Sequence, residues 1–452
     1  MKSKVLFVFL FAFTLCVKAQ TSSSARDSIA AITQKDFLNM KQQLGITIEN
    51  RPGPSGDPTA PNAANSDENK VVPYTLPDPL IANNGKAITG QGDWQNVRRP
   101  QLVKLFEDEM YGHLPEDLPN VEWAIVNEKD TTAGPYPVTE ILLKGTVDNS
   151  RYPQIQVEIE LLIGLPKGTS EAIPLVTRFG SIMWPFGPPP EEPKSYFISA
   201  YEPLWKQQLI SKKWGYAILV PSSIQDDNGA GLTSGIIGLV NKGQYRKPGQ
   251  WGALRAWAWG AGQAMDYFST HPLIDESRIG IEGTSRYGKA ALVTMAFDER
   301  FSLGFIGSSG AGGASLLRRN FGEMVENLAS SGEYHWFCGN FIKYASVLTV
   351  EDLPVDAHEL VALCAPRPVF ISVGSPLIEG NWVDGKGMFL AGVHASPVYK
   401  LLGKKGLNTH EFPSMGEALT SGEIAFRQHA GGHSTGPNWS TWLAWADRYW
   451  SR

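Results

Sequence analysis

Apolar and polar residues change their rhythm along this chain. Val121 to Asn127, Val138 to Thr146 and Gln154 to Leu165 alternate between the two, the period of strands with one face in water. Further on the alternation stops. Ile173 to Thr177, Tyr216 to Val220, Arg278 to Glu282, Phe301 to Ile306 and Val369 to Val373 are short apolar runs, as in strands covered on both faces. Helical stretches separate most of them: Leu204 to Lys213, Trp251 to Thr270 and Lys289 to Asp298. Upstream, Val97, Leu102, Leu105, Phe106 and Met110 fall at helical spacing and predict an amphipathic helix over Asn96 to Tyr111. A last helix is expected at Trp439 to Trp450. Buried strands alternating with helices predict a doubly wound α/β fold with a mostly parallel sheet. The three alternating strands would form its antiparallel N-terminal edge. No internal repeat interrupts this order.

The start of the chain follows other rules. Lys2 and Lys4 precede an apolar run from Val5 to Val17, and Val17-Lys-Ala19 has the small-x-small form of a cleavage site. Residues 1–20 therefore read as a secretory signal, and the mature protein is expected to be secreted or periplasmic. No later apolar run is long enough to span a bilayer. Residues 21–68 are polar and rich in Ser, Asn, Pro and Gly, with the linker-like Arg51-Pro-Gly-Pro-Ser-Gly-Asp-Pro. They are expected to be partly disordered or to wrap the surface. Residues 69–452 form the predicted catalytic domain, one decorated α/β unit.

Composition narrows the partners. The net charge of −5 and the lack of any basic run argue against nucleic acid. With 42% hydrophobic residues the chain can build a large core, and 14 tryptophans exceed ordinary use. Most of these are expected in the core, although Trp-rich clefts also suit sugar rings. Cys338 and Cys364 lie in apolar surroundings and read as buried free thiols, and no Cys/His cluster has zinc spacing. A monomer without metal or organic cofactor is expected.

The chemistry concentrates at Gly283-Thr-Ser-Arg-Tyr-Gly-Lys289. An apolar strand precedes it and a helix follows. Strand, tight turn with a serine at the apex, then helix is the nucleophile elbow of an α/β-hydrolase, a three-layer sandwich. Ser285 is the candidate nucleophile. A serine hydroxyl needs a base, and in this fold the histidine comes late in the chain. His433 fits, in the glycine-rich loop His429-Ala-Gly-Gly-His433 just before the last helix. His429 is the runner-up and suits a supporting role in that loop. The acid should follow a late strand, and Val369 to Val373 leads to both Glu379 and Asp384. Glu379, nearer the strand end, is favoured. Arg286 cannot act as a base, but beside the nucleophile its guanidinium and backbone N–H can hold an oxyanion, worth about 3 kcal/mol for a well-placed donor. Lys289, about one helical turn past Ser285, could face substrate and would need a partner if buried.

Several runs go beyond the fold. GTSRYGKAAL, SSGAGG at 308–313, RRNFGE at 318–323, GEYHWFCGNF at 332–341 and the GGH loop together resemble the glucuronoyl esterases, carbohydrate esterase family 15, over residues 75–452. The resemblance implies cleavage of the ester between a lignin alcohol and 4-O-methyl-glucuronic acid on glucuronoxylan. It implies Ser285 as nucleophile, Arg286 as oxyanion arginine and His433 as base. It also implies Lys289, Glu333 and Trp382 as substrate-binding residues. The chain departs from the pattern at the acid. Many members carry a glutamate at the position of Ser308, and others an aspartate at that of Gly380. Glu379, one residue away, is the natural substitute. Two further readings follow: an esterase for acetylated xylan, or a hydrolase-fold protein that binds carbohydrate with low activity. Lys289, Glu333 and Trp382 argue for the uronate ester, because removing an acetyl group needs no uronate clamp.

Overall fold

A computed structural model of the protein describes residues 25–182 and 204–451. The signal expected over residues 1–20 lies outside them. Among the described residues ten strands form one sheet: β1 (Val121–Ala133), β2 (Tyr136–Val147), β3 (Glu158–Pro166), β4 (Ile173–Phe179), β5 (Gly215–Leu219), β6 (Ile274–Thr284), β7 (Leu303–Gly307), β8 (Val369–Val373), β9 (Ala418–Leu419) and β10 (Ile424–Gln428). Their order is β1-β2-β3-β5-β4-β6-β7-β8-β10-β9. β1, β2, β3 and β5 pair antiparallel, and from β5 to β10 every pairing is parallel. This is the α/β-hydrolase arrangement, with the alternating strands at the edge where one face meets water.

The main helices are α1 (25–43), α2 (Arg99–Phe106), α3 (Trp205–Ser211), α4 (Ala253–Phe268), α5 (Arg286–Phe297), α6 (Ala357–Leu363), α7 (Gly385–Leu401) and α8 (Trp439–Trp450). They cover both faces because successive strand residues point to opposite sides. Phe305 and Phe370 pack with Trp439, Trp442 and Trp445 of α8 and with Leu209 of α3. Their neighbours Ile306 and Ile371 join the larger core that α4, α5, α6 and α7 close on the other face. Trp94, Trp251, Trp257, Trp439, Trp442 and Trp445 are all buried in this way. Cys338 and Cys364 are buried free thiols, and burial pushes both up to about 12.

Two parts of the fold go beyond the hydropathy pattern. Strands β9 and β10 and helices α6 and α7 did not stand out in the hydropathy pattern. β10 is five residues long and ends in Arg427-Gln428, and α7 carries Gly385, Gly387, Gly392 and Pro397, residues that read as loop. Of the two alternatives left open for 21–68, disorder or wrapping of the surface, the described residues from 25 onward follow the second. Phe37 and Met40 of α1 are buried in the core, and Tyr334 Oη donates to Asp36 Oδ1 at 2.5 Å. Arg51 donates to the carbonyls of Tyr344, Ser346 and Leu348. Glu68 pairs with Arg319 and Lys386. Specific polar contacts anchor a segment whose composition alone suggests a linker. It backs the long excursion between β7 and α6. Among the described residues no helix is long and apolar enough to cross a membrane.

Candidate active site

The site gathers at the carboxyl ends of the parallel strands, where loops of such sheets converge. β6 delivers Ser285, which starts α5 with φ 62° and ψ −134°. A non-glycine residue there is strained, by about 1–3 kcal/mol, and the surroundings hold it in place. Its N–H donates to Gly307 O at 2.9 Å, and its own carbonyl accepts from Lys289 N at 3.0 Å. Two residues before it, any side chain on Gly283 would fall on the Tyr287 carbonyl, so the turn requires glycine. The backbone N–H of Arg286 belongs to the first turn of α5, whose amides have no partner within the helix. That end carries partial positive charge beside the serine hydroxyl.

β8 and β10 are adjacent, and their loops are stitched together. Ser375 N donates to Gly431 O at 2.8 Å, and Gln428 Nε2 donates to Gly374 O at 3.1 Å. Glu379 and His433 meet across this seam, with Nδ1 of His433 2.5 Å from Oε1 of Glu379. The Glu379 side chain is fully buried and its other oxygen accepts from Gly374 N at 2.5 Å. An ionised carboxylate only accepts, so Nδ1 must carry the proton in the neutral ring. Nε2 is then left as an acceptor. Trp382 lies 5.1 Å from the His433 ring, centroid to centroid, and its indole N–H donates to Glu379 O at 2.9 Å. The Trp382 ring is partly exposed.

The alternative residues are engaged elsewhere. Asp384 accepts from Arg319 Nε at 3.0 Å and from Gly387 N at 2.9 Å, capping α7. His429 holds its own loop, with Nε2 2.8 Å from Ser434 O and Nδ1 accepting from Gly431 N at 3.1 Å. Ser308 N donates to Ser372 O at 2.7 Å, joining β7 to β8. Gly380 has φ 96°, a conformation that disfavours an aspartate at this position.

A second seam ties the histidine loop to the strand beneath the serine. Thr435 Oγ1 donates to Glu282 Oε1 at 2.6 Å, and Arg178 Nε lies 3.1 Å from Glu282 Oε2. Glu282 is wholly buried at the end of β6, and that burial raises its pKa.

On the far side of Ser285 lies a polar cluster. Lys289 is buried, 3% exposed, and its ammonium donates to Ser309 O at 2.8 Å and pairs with Glu323 Oε2 at 3.3 Å. The partner it requires is thus a carboxylate from the RRNFGE run. Glu333 approaches the same group. Its Oε2 is buried with no hydrogen bond among the described residues, and burial, reinforced by Glu323, pushes its carboxyl up to about 7 against the pull of Lys289. Arg286 Nε lies 2.6 Å from Asp227 Oδ2. Asp227 also accepts from Trp336 Nε1 at 2.6 Å and meets His335 Nε2 at 3.0 Å.

Sequence reading missed Asp227 and Glu323. Two neighbouring aspartates just past the end of a buried strand were the available signal for Asp227. Glu323 stood in a run already singled out, without a role. The site therefore combines a half-buried serine at a helix start, an imidazole with a fixed proton, and a buried cation among carboxylates. Such a pocket suits ester cleavage next to a polyhydroxylated, anionic or polar group.

Known proteins share this architecture and much of this sequence. A sequence model described as "Glucuronyl esterase, fungi" matches residues 243–403. The chain is 32% identical to "Carbohydrate esterase MZ0003" from an unknown prokaryotic organism, over 86% of this chain and 93% of that protein. It is 29% identical to 4-O-methyl-glucuronoyl methylesterase 1 of Wolfiporia cocos, over 76% of each. Among solved structures, it superposes on a CE15 glucuronoyl esterase from Teredinibacter turnerae with a TM-score of 0.86 and 42% identity, covering 93% of this chain and all of that one. A glucuronoyl esterase from Solibacter usitatus follows, with a TM-score of 0.73, 32% identity, 85% of this chain and all of that one.

Proposed function

The chain belongs to the glucuronoyl esterases of carbohydrate esterase family 15, which are carboxylic ester hydrolases, and on that premise we propose that it cleaves esters between 4-O-methyl-glucuronic acid on glucuronoxylan and lignin alcohols. The observation that carries this choice of substrate is Lys289. It is buried with Glu323, near Glu333, whose Oε2 has no hydrogen bond among the described residues, one turn along the helix that begins at Ser285. Hydroxyls of a uronate ring can donate to the free oxygen of Glu333 and accept from Lys289, and the Trp382 ring offers a face to the sugar.

Ser285 attacks the ester carbonyl while Nε2 of His433 takes its proton, and Glu379 stabilises the imidazolium that forms. The oxyanion of the tetrahedral intermediate lies against the Arg286 backbone N–H and guanidinium. His433 returns the proton to the leaving alcohol, which departs. Water then attacks the acyl-enzyme by the same relay and releases the uronic acid. The N-terminal residues 1–20 support export, which suits a polymeric substrate outside the cell.

The test is hydrolysis of benzyl glucuronate by the wild type and by Ser285→Ala, which should fall by about 10⁴-fold or more. An unchanged rate in the variant would sink the mechanism. Comparison with an acetylated xylan tests the substrate, and a faster acetyl reaction would refute the uronate assignment.

A further inference from the structure

Arg286 is a long side chain with 45% of its surface exposed. Left free, its guanidinium would sample many positions, and only a preorganised donor stabilises a transition state well. In this structure one edge is held. Its Nε lies 2.6 Å from Asp227 Oδ2 in an ion pair, and the guanidinium also reaches the side chain of Tyr287, standing 5.6 Å from that ring's centroid.

Asp227 is itself fixed from the other side. Its Oδ1 accepts from the Trp336 indole N–H at 2.6 Å and faces His335 Nε2 at 3.0 Å. His335 is almost fully buried, and burial holds its ring neutral, so the proton sits on the nitrogen that faces the carboxylate. Burial also pushes Asp227 upward, yet the bonds from His335 and Trp336 and the charge of Arg286 keep it below its ordinary value. The carboxylate is therefore ionised, immobilised and aimed at the arginine next to the nucleophile.

We propose that Asp227 is a positioning residue of the esterase reaction, which sets the Arg286 guanidinium for the developing oxyanion by fixing its Nε edge. This rests on the oxyanion role of Arg286 proposed above. Asp227 also touches the 333–336 segment that carries Glu333, so a purely structural role would act through substrate binding instead. The two roles separate in the kinetics. An effect through the oxyanion lowers kcat, whereas an effect through Glu333 raises KM.

Asp227→Asn is the informative substitution. Its amide oxygen can still accept from Trp336 and His335, while its NH2 would meet the donor Nε of Arg286. With benzyl glucuronate, kcat should fall about 30-fold with KM within about twofold, a fraction of the loss expected from removing a whole oxyanion donor. The same substitution in an Arg286→Ala background should change kcat by less than about twofold, because residues acting as a unit are not additive. If Arg286→Ala alone leaves kcat intact, the oxyanion role fails and the proposal falls with it. If Arg286→Ala lowers kcat but Asp227→Asn is silent, or costs the same in both backgrounds, the oxyanion role stands and the positioning role of Asp227 is refuted. A rise in KM with unaltered kcat would assign Asp227 to the Glu333 segment instead.

Discussion

Glu333→Gln should change how the stability of this enzyme depends on pH. In the unfolded chain the Glu333 carboxyl titrates near 4.5, and in the folded protein burial and the neighbouring Glu323 raise it to about 7. Between those values the unfolded chain has lost the proton and the folded chain keeps it. The folded state then binds more protons, so stability falls as pH rises through this window and stays lower above it. Below the window both states are protonated and the group contributes nothing. The interval from 4.5 to about 7 corresponds to at most about 3 kcal/mol. Partial access to solvent screens the ionised form, so about 1–2 kcal/mol is the expected size. Glutamine has no proton to lose and keeps nearly the same shape. Urea unfolding of both proteins at about pH 4 and about pH 8 isolates the effect as a difference between difference curves. Wild type should lose about 1–2 kcal/mol relative to the variant on going to the higher pH. A flat difference, or a relative gain by wild type, would refute the reasoning.

Two further outcomes follow from the seams around the serine. Glu379→Gln should lower kcat on benzyl glucuronate by about 10³–10⁴-fold, because the amide cannot stabilise the imidazolium and can select the wrong tautomer of His433. A near wild-type rate would remove Glu379 from the mechanism. Thr435→Val keeps the shape of the side chain but takes the hydroxyl from the wholly buried Glu282, at a cost of about 1–3 kcal/mol of stability. Thermal unfolding reads this directly, and an unchanged Tm would show that the bond contributes nothing.

Much of the sheet was legible in the residues. Apolar runs marked β4 to β8, and alternation marked the edge strands, because burial on one or two faces imposes its own spacing. The elbow was legible for a related reason. A turn that brings the Tyr287 carbonyl against position 283 admits only glycine, and a serine between that strand and that helix has one geometry available. β10 was not legible. Five residues with alanine and arginine among them carry too weak a pattern, and this strand gains its place from β8 and from the packing of α8. Over the segment 25–68 composition left disorder and surface wrapping both open, since it reports solvation and not the specific contacts of Arg51 and Glu68.

Local sequence by itself determined the candidate nucleophile, its flanking cations, the strand-helix alternation and the family resemblance. These depend on residues close together along the chain, where backbone geometry and periodicity act directly. Only the tertiary structure decided which carboxylate serves which partner. Glu379 and Asp384 are five residues apart on one loop, yet one faces His433 and the other caps α7 against Arg319. Asp227 and Glu323 likewise acquire their meaning from cations that arrive on α5. A charge is stabilised by what surrounds it in space, and the chain order of the residues does not specify those surroundings.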